Sequence, residues 1–212
     1  MTPAGPRPRR HVYIVDDDEA LLTTLSRQLQ RAGHEVRAFA TPAAFLDRAR
    51  PDCASCVLLD LELPGLSGLD LQDLLGRSSS PPAVVFMTER VDVHATVRAM
   101  KGGAVDFLLK PLDPAKLLEA VAAALRRGTE RAAASAERAS AVERLAVLTP
   151  REREVCALIA AGRRNREIAA ELAIADTTVG LHRARVMKKL GASSVAELVL
   201  LIERARERGS RS

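Results

Sequence analysis

Apolar positions follow two alternating rhythms over the first 127 residues and a single rhythm after that. Short β-rich runs at 11–15, 34–39, 57–60, 83–88 and 104–109 are bounded by turn residues. Apolar runs of this kind read as strands buried on both faces of a parallel sheet. Between them, apolar residues recur at helical spacing, first as Leu21, Leu22, Leu25 and Leu29 up to Gly33. Thr41-Pro42 opens a second helix as N-cap and first helical position, and helices over 66–75 and 91–101 follow. Asp113-Pro114 opens a fifth, to about residue 127. Five strands alternating with five helices predict an α/β fold, a parallel sheet with helices on both faces. The doubly wound, flavodoxin-like order is 2-1-3-4-5.

Residues 128–147 are rich in Ala, Glu and Arg, which predicts a semi-rigid helical linker, either a plain spacer or a dimer contact. Beyond it only the helical rhythm remains. Thr149-Pro150-Arg151-Glu152 is a capping box that opens a helix to Gly162. Asn165 is the expected cap of a short helix through Leu172, and Asp176 that of a third over 177–190. Ser194-Val195-Ala196-Glu197 is a second capping box and starts a terminal helix. The chain thus divides into a tail (1–9, expected to be disordered), an α/β domain (10–127), the linker (128–147), a small all-α domain (148–208) and an end tail (209–212).

Composition narrows the picture. Hydrophobic residues are 47% of the 212, but aromatics are 2% with no Trp, so the cores must be aliphatic. Too few π faces remain for a single-strand stacking platform. Residues 1–127 hold 16 Lys/Arg and 16 Asp/Glu, whereas 148–212 hold 13 and 8, the whole net charge of +5. A polyanion partner is expected for the last third only. Cys53-x-x-Cys56 has a redox or half-zinc spacing, but without a second pair or a nearby His it reads, with Cys156, as small buried thiols of a reducing cytosol. Met1–Arg10 lacks an apolar h-region, and no apolar run approaches the roughly 18 residues of a membrane span. A soluble, cytoplasmic protein is the expectation.

The carboxyl ends of the strands carry the chemistry. Strand one delivers Asp16 and Asp17, strand three Asp60, strand four Thr88, and strand five Lys110 followed by Pro111. Ligands of open α/β sheets bind at these ends, here in a crevice between strands one and three. Three carboxylates there do not all stay ionised without a cation, and oxygen ligands suit Mg²⁺. The set matches phosphoryl transfer to a carboxylate: Asp60 as nucleophile, Lys110 and Thr88 holding the phosphoryl oxygens.

These pieces, with Asp60-Leu61-Glu62-Leu63-Pro64-Gly65 and Gly103-Ala104-Val105-Asp106-Phe107, make residues 10–127 resemble the receiver domain of a two-component response regulator. The resemblance implies that Asp60 accepts phosphate from a histidine kinase. It implies that Asp17, Asp60 and the Glu62 backbone carbonyl coordinate Mg²⁺, with Asp16 acting largely through water. It also makes Thr88 and Phe107 a switch pair. Two positions depart from the usual pattern: Glu89, where a small residue commonly follows the Thr, and Glu62, two beyond the acceptor. A carboxylate at either place repels phosphate or alters water access.

In the basic third, two short helices joined by a tight turn near 173–176 form a helix-turn-helix, whose second helix enters the major groove. Val179, His182, Val186 and Leu190 share one face of that helix and read as core. Arg185 and Lys188, on the other, are candidates for guanine edges, with Leu181 and Ala184 against thymine methyls. Thr178, Arg163, Arg164, Arg183 and Lys189 are candidates for phosphate contacts. Residues 148–206 resemble the LuxR-type helix-turn-helix of NarL/FixJ response regulators through Leu148-Thr149-Pro150-Arg151-Glu152, Thr178-Val179 and His182-Arg183-Ala184-Arg185-Val186-Met187. Family members dimerise through the terminal helix. Gly180 departs from the pattern at a position usually Glu or Lys.

The resulting expectation is a DNA-binding transcriptional regulator switched by phosphorylation, with a histidine kinase and promoter duplex as partners and a homodimer as the active form. One alternative is a constitutive DNA binder whose receiver is passive. The other is a Mg²⁺-dependent phosphohydrolase, because Asp16-x-Asp18 mimics a dehalogenase-type nucleophile motif; against it, Asp18 reads as a helix cap.

Overall fold

The computed structural model describes residues 11–52, 54–78, 80–90 and 92–206. The two expected tails and Cys53 lie outside them. The chain parts into two units between Ala133 and Ala134. The first carries β1 (His11–Val15), α1 (Glu19–Arg31), β2 (Glu35–Phe39), α2 (Pro42–Arg48), β3 (Cys56–Asp60), α3 (Gly68–Gly76), β4 (Ala83–Thr88), α4 (Val93–Lys101), β5 (Asp106–Leu109) and the first part of α5 (Pro114–Ala146), whose last residues belong to the second. The sheet has the order β2-β1-β3-β4-β5, and every pairing is parallel.

Alternation along the strands sorts side chains onto two faces. Val12, Ile14, Leu58 and Val85 pack with Leu25 and Leu29 of α1 and Leu117 and Val121 of α5. Tyr13, Val15, Val57, Leu59 and Phe86 pack with Phe45 of α2, Leu71 of α3 and Ala99 of α4. Strands β3 and β4 are buried throughout, whereas the edge strand β2 buries only Phe39. Cys56 is a free, buried thiol, and burial pushes its pKa up to about 12, so it is inert.

Helix α5 runs 33 residues without a break, through both the expected helix end at 127 and the expected linker. Its sequence has no proline after Pro114, and the single Gly128 costs about 1 kcal/mol against Ala, too little to end so long a helix.

In the second unit, α6 (Pro150–Ala160), α7 (Asn165–Leu172), α8 (Asp176–Leu190) and α9 (Val195–Arg206) enclose Val155, Ile159, Ile168, Val179, Val186, Leu190 and Leu198. Thr149 and Glu152 form the expected capping box. Two caps differ from expectation. Asn165 and Asp176 are first helical residues, and Arg164 and Ala175 occupy the cap positions. At Arg164 the Glu167 carboxylate accepts the backbone N–H at 2.7 Å, so no cap side chain is needed. Asp176 instead places a negative charge in the first turn, where the helix dipole favours it. Ser194 caps α9 as expected, but Glu197 reaches back to Ser193 rather than Ser194. The turn between α7 and α8 passes through Ala173 at φ 52°, the one positive φ of a non-glycine among the described residues.

Candidate functional site

Strand register assembles the first site. Val15 lies beside Leu59, Asp60 beside Met87, and Thr88 beside Leu109. One residue on, Asp16, Asp60, Thr88 and Lys110 therefore meet at one edge of the sheet. Carboxylate oxygens of Asp16, Asp17 and Asp60 lie within 4.8 Å of one another. Lys110 Nζ is 2.7 Å from Asp16 Oδ2 and 3.4 Å from Asp60 Oδ2. Asp16 and Asp60 are buried, while Asp17 is exposed and opens the cluster to solvent.

Burial raises the Asp60 pKa; Lys110 pulls it back, Asp16 pushes it up again, and the net shift is upward. For Lys110, burial works against the charge, but hydrogen bonding and attraction from Asp16, then Asp60, outweigh it and hold the ammonium above its ordinary pKa. One ammonium against three carboxylates leaves a surplus of two negative charges. That surplus and a donor set made of oxygens fit a hard divalent cation.

The β3–α3 turn folds tightly over the back of Asp60. Leu61 N–H donates to Met87 O at 2.9 Å and Gly68 N–H to Leu61 O at 3.1 Å. A Cβ on Gly68 would stand 2.2 Å from the Asp60 carbonyl oxygen, so only glycine allows this approach. Thr88 is buried, and its hydroxyl donates to Arg90 O at 3.0 Å. Phe107 is half-buried, its ring 6.1 Å from that of Phe86. Glu62 is paired with Arg90 at 2.8 Å, which offsets the repulsion expected from its carboxylate. Gly68 and Arg90 were not legible in advance: one depends on a close backbone approach, the other on a pairing 28 residues apart. Asp18 accepts hydrogen bonds from the N–H groups of Ala20 and Leu21 and is therefore the cap of α1, against the phosphohydrolase alternative.

The second site is on α8. Val179, Val186 and Leu190 are buried and His182 is half-buried, so the face read as core is core. Leu181, Ala184, Arg185 and Lys188 are exposed on the other face, and Thr178 is half-buried at its start. Arg163, Arg164 and Arg183 line a recess of about 460 Å³ together with Asn165, and Arg183 reaches Asn165 at 3.5 Å. Lys189 carries an ion pair that its sequence neighbours do not signal. Its ammonium is 2.7 Å from the buried Glu152 carboxylate, while its side chain stays exposed on the surface of the unit. A Cβ on Gly180 would meet nothing within 4 Å. Among the described residues no helix is long and apolar enough to cross a membrane.

A parallel sheet with this strand-end cluster, followed by a basic helix-turn-helix, defines a class: phosphorylation-regulated DNA-binding proteins. Comparison with known proteins agrees. A response regulator receiver domain model matches residues 12–122, and a model of bacterial regulatory proteins of the luxR family matches residues 146–202. The chain is 43% identical over 192 residues to nodulation protein W of Bradyrhizobium diazoefficiens, spanning 91% of this chain and 85% of that protein. It is 39% identical over 195 residues to the transcriptional regulatory protein FixJ of the same organism, spanning 92% and 95%. The structure of the response regulator StyR matches with a TM-score of 0.81 at 39% identity, over 92% of this chain and 99% of that one. The chain belongs to the NarL/FixJ family of response regulators, and it is a transcriptional regulator of a two-component system.

Proposed function

We propose that Asp60 is the phosphoryl acceptor, that a histidine kinase in the cytoplasm is the donor, and that the phosphorylated protein binds promoter DNA as a homodimer. The observation that carries this reading is the strand register that sets Asp60 beside Asp16 and within 3.4 Å of Lys110. An Asp60 oxygen attacks phosphorus as the bond to the kinase histidine nitrogen breaks, so the phosphoryl group moves to the carboxylate and the imidazole leaves. Asp16, Asp17, Asp60 and the Glu62 carbonyl would hold Mg²⁺, which supplies charge neutralisation to the transferring group. Lys110 turns from its carboxylates toward the new phosphoryl oxygens. Thr88 gives up the Arg90 carbonyl and donates to the same group. Phe107 repacks behind it, beside Phe86. A new dianion thus biases a two-state element through one hydroxyl and one ring. The protein catalyses only its own phosphorylation and dephosphorylation.

On DNA, Arg185 and Lys188 read base edges with Leu181 and Ala184 beside them, and Thr178, Arg163, Arg164 and Arg183 hold phosphates. Lys189, tied to Glu152, is left out of the contacting set. Promoter affinity of the wild type and of Asp60→Asn, each with and without acetyl phosphate, tests the switch. Acetyl phosphate should tighten binding of the wild type alone. Equal affinity in all four states would mean a passive receiver. The salt dependence of binding tests the contacts: Arg164→Ala, which removes a phosphate contact, should lower the slope of log K on log salt by about one, and Lys189→Ala should leave it unchanged.

A further inference from the structure

The end of α5 is built into the helical unit, and one of its side chains closes the recognition helix. Ala141 is buried in the core of that unit and Leu145 packs against it. Leu148, in the turn just beyond the helix, is buried with them, and its N–H donates to Leu145 O at 3.3 Å. On the neighbouring position Arg144 donates from Nη2 to the carbonyl oxygen of Leu190, the last residue of α8. Its guanidinium stands 3.6 Å from where a Cβ on Gly191 would be, at the left-handed turn that ends the helix. Glu197, which accepts from Ser193 N–H and Oγ at the start of α9, is drawn below its ordinary pKa by those bonds and, more weakly, by Arg144. The terminal carbonyls of a helix lack intrahelical partners and carry the negative end of its dipole, so a guanidinium there satisfies both.

We propose that Arg144 is a positioning residue for DNA reading: by capping α8 from α5, it makes the recognition helix depend on α5 being wound to its end. The inference rests on the proposed role of α8. A second side-chain tie at this end is the Lys189–Glu152 ion pair from α6, beside the burial of Val186 and Leu190 and the backbone closure of Ala192 N–H onto Met187 O. Together they fix Lys188 and Arg185, which lie within the last two turns of α8. Loss of the last turn of α5 therefore loosens the very residues offered to the groove.

The test uses full-length protein and the duplexes that the wild type recovers from a random-sequence pool. Arg144→Ala should bind them about tenfold more weakly, the size of a partly buried charge at a helix C-terminus. Amide exchange at 187–192 should quicken by a similar factor, ahead of the rest of 150–206. The salt slope should stay the same, and Arg144→Lys should restore most of both losses. If the wild type recovers no duplex, it is the DNA reading that fails. If it does, and Arg144→Ala matches it in affinity and exchange, the positioning role is overturned. A slope lowered by about one overturns it in favour of a direct phosphate contact. Quickened exchange spread evenly over 150–206 overturns it in favour of general stability.

Discussion

Arg90 Nη2 lies 2.8 Å from Glu62 Oε1, joining the loop after β4 to the loop after β3. Both residues stand two positions beyond a strand-end group, Asp60 and Thr88. Arg90 neutralises an acid that would otherwise face an incoming phosphate, and hydrogen bonding to Glu62 raises its own pKa. The pair is exposed, so its effect is modest. Arg90→Ala should slow Asp60 phosphorylation by acetyl phosphate by no more than about fivefold. Adding Glu62→Gln should restore the rate. A time course of phosphoprotein gel mobility reads both, and an unchanged rate in Arg90→Ala rules the pairing out as a control on phosphate entry.

Lys110 and the proposed divalent cation would balance the same negative charge, so each should show in the absence of the other. Lys110→Ala removes the 2.7 Å partner of buried Asp16 and should destabilise the metal-free protein by about 3 kcal/mol. It should also tighten Mg²⁺ binding, on the order of tenfold, because three carboxylates then lack any internal cation. Phosphorylation should fall even so, since the ammonium no longer meets the phosphoryl oxygens. Calorimetric Mg²⁺ titration and thermal unfolding with and without EDTA check the pair of effects. Mg²⁺ affinity that fails to rise would show that Lys110 and the cation do not compete.

Gly68 closes the loop behind Asp60. A methyl group there meets the Asp60 carbonyl at 2.2 Å, and backbone rather than a flexible side chain has to give way. Gly68→Ala should cost about 1–3 kcal/mol and lower the phosphorylation rate with it. Gly76→Ala is the control, since its Cβ would meet nothing within 4 Å; at the end of α3 it should be neutral or stabilising by up to about 1 kcal/mol. Chemical denaturation of both variants beside the wild type separates the close approach from a general effect of losing glycine.

What could be read in the sequence was what depends on local order. Strand and helix periodicity predicted the five βα units, and strand ends then predicted that Asp16, Asp60, Thr88 and Lys110 converge, because a parallel sheet aligns its carboxyl ends. The capping box at Thr149 and the cap at Ser194 are legible for the same reason. What escaped depends on partners distant in sequence. Nothing near Lys189 marks it as the counter-ion of Glu152, 37 residues away. Nothing near Arg90 points to Glu62. The run of Ala, Glu and Arg after 127 reads as helix, but its fusion into α5 follows from the absence of a breaker strong enough to stop the preceding one. The shifted caps at Arg164 and Ala175 follow from backbone turns that one-residue capping rules do not resolve.

The Glu152–Lys189 pair gives the helical unit a pH signature. Glu152 has 5% of its side chain exposed, yet its pKa falls from an ordinary 4.5 to about 2. The Lys189 ammonium is the main cause; the Thr149 N–H adds to it, and together they outweigh burial. A folded-state pKa below the unfolded one means that the unfolded chain takes up the proton first as pH falls. The pair's contribution is therefore whole above about pH 4.5 and drains away toward pH 2. Lys189→Met removes the main cause, so its folded and unfolded pKa values converge. The variant should be less stable than the wild type at neutral pH, and the gap should narrow steadily below pH 4.5. Glu152→Gln should flatten the same stretch of the curve while keeping the Thr149 contact. Thermal unfolding of the three proteins between pH 7 and pH 2.5, followed at 222 nm, a far-UV helix signal, reads this directly. A gap of constant size across that range would mean that Lys189 acts on α8 through packing and not through the charge of Glu152.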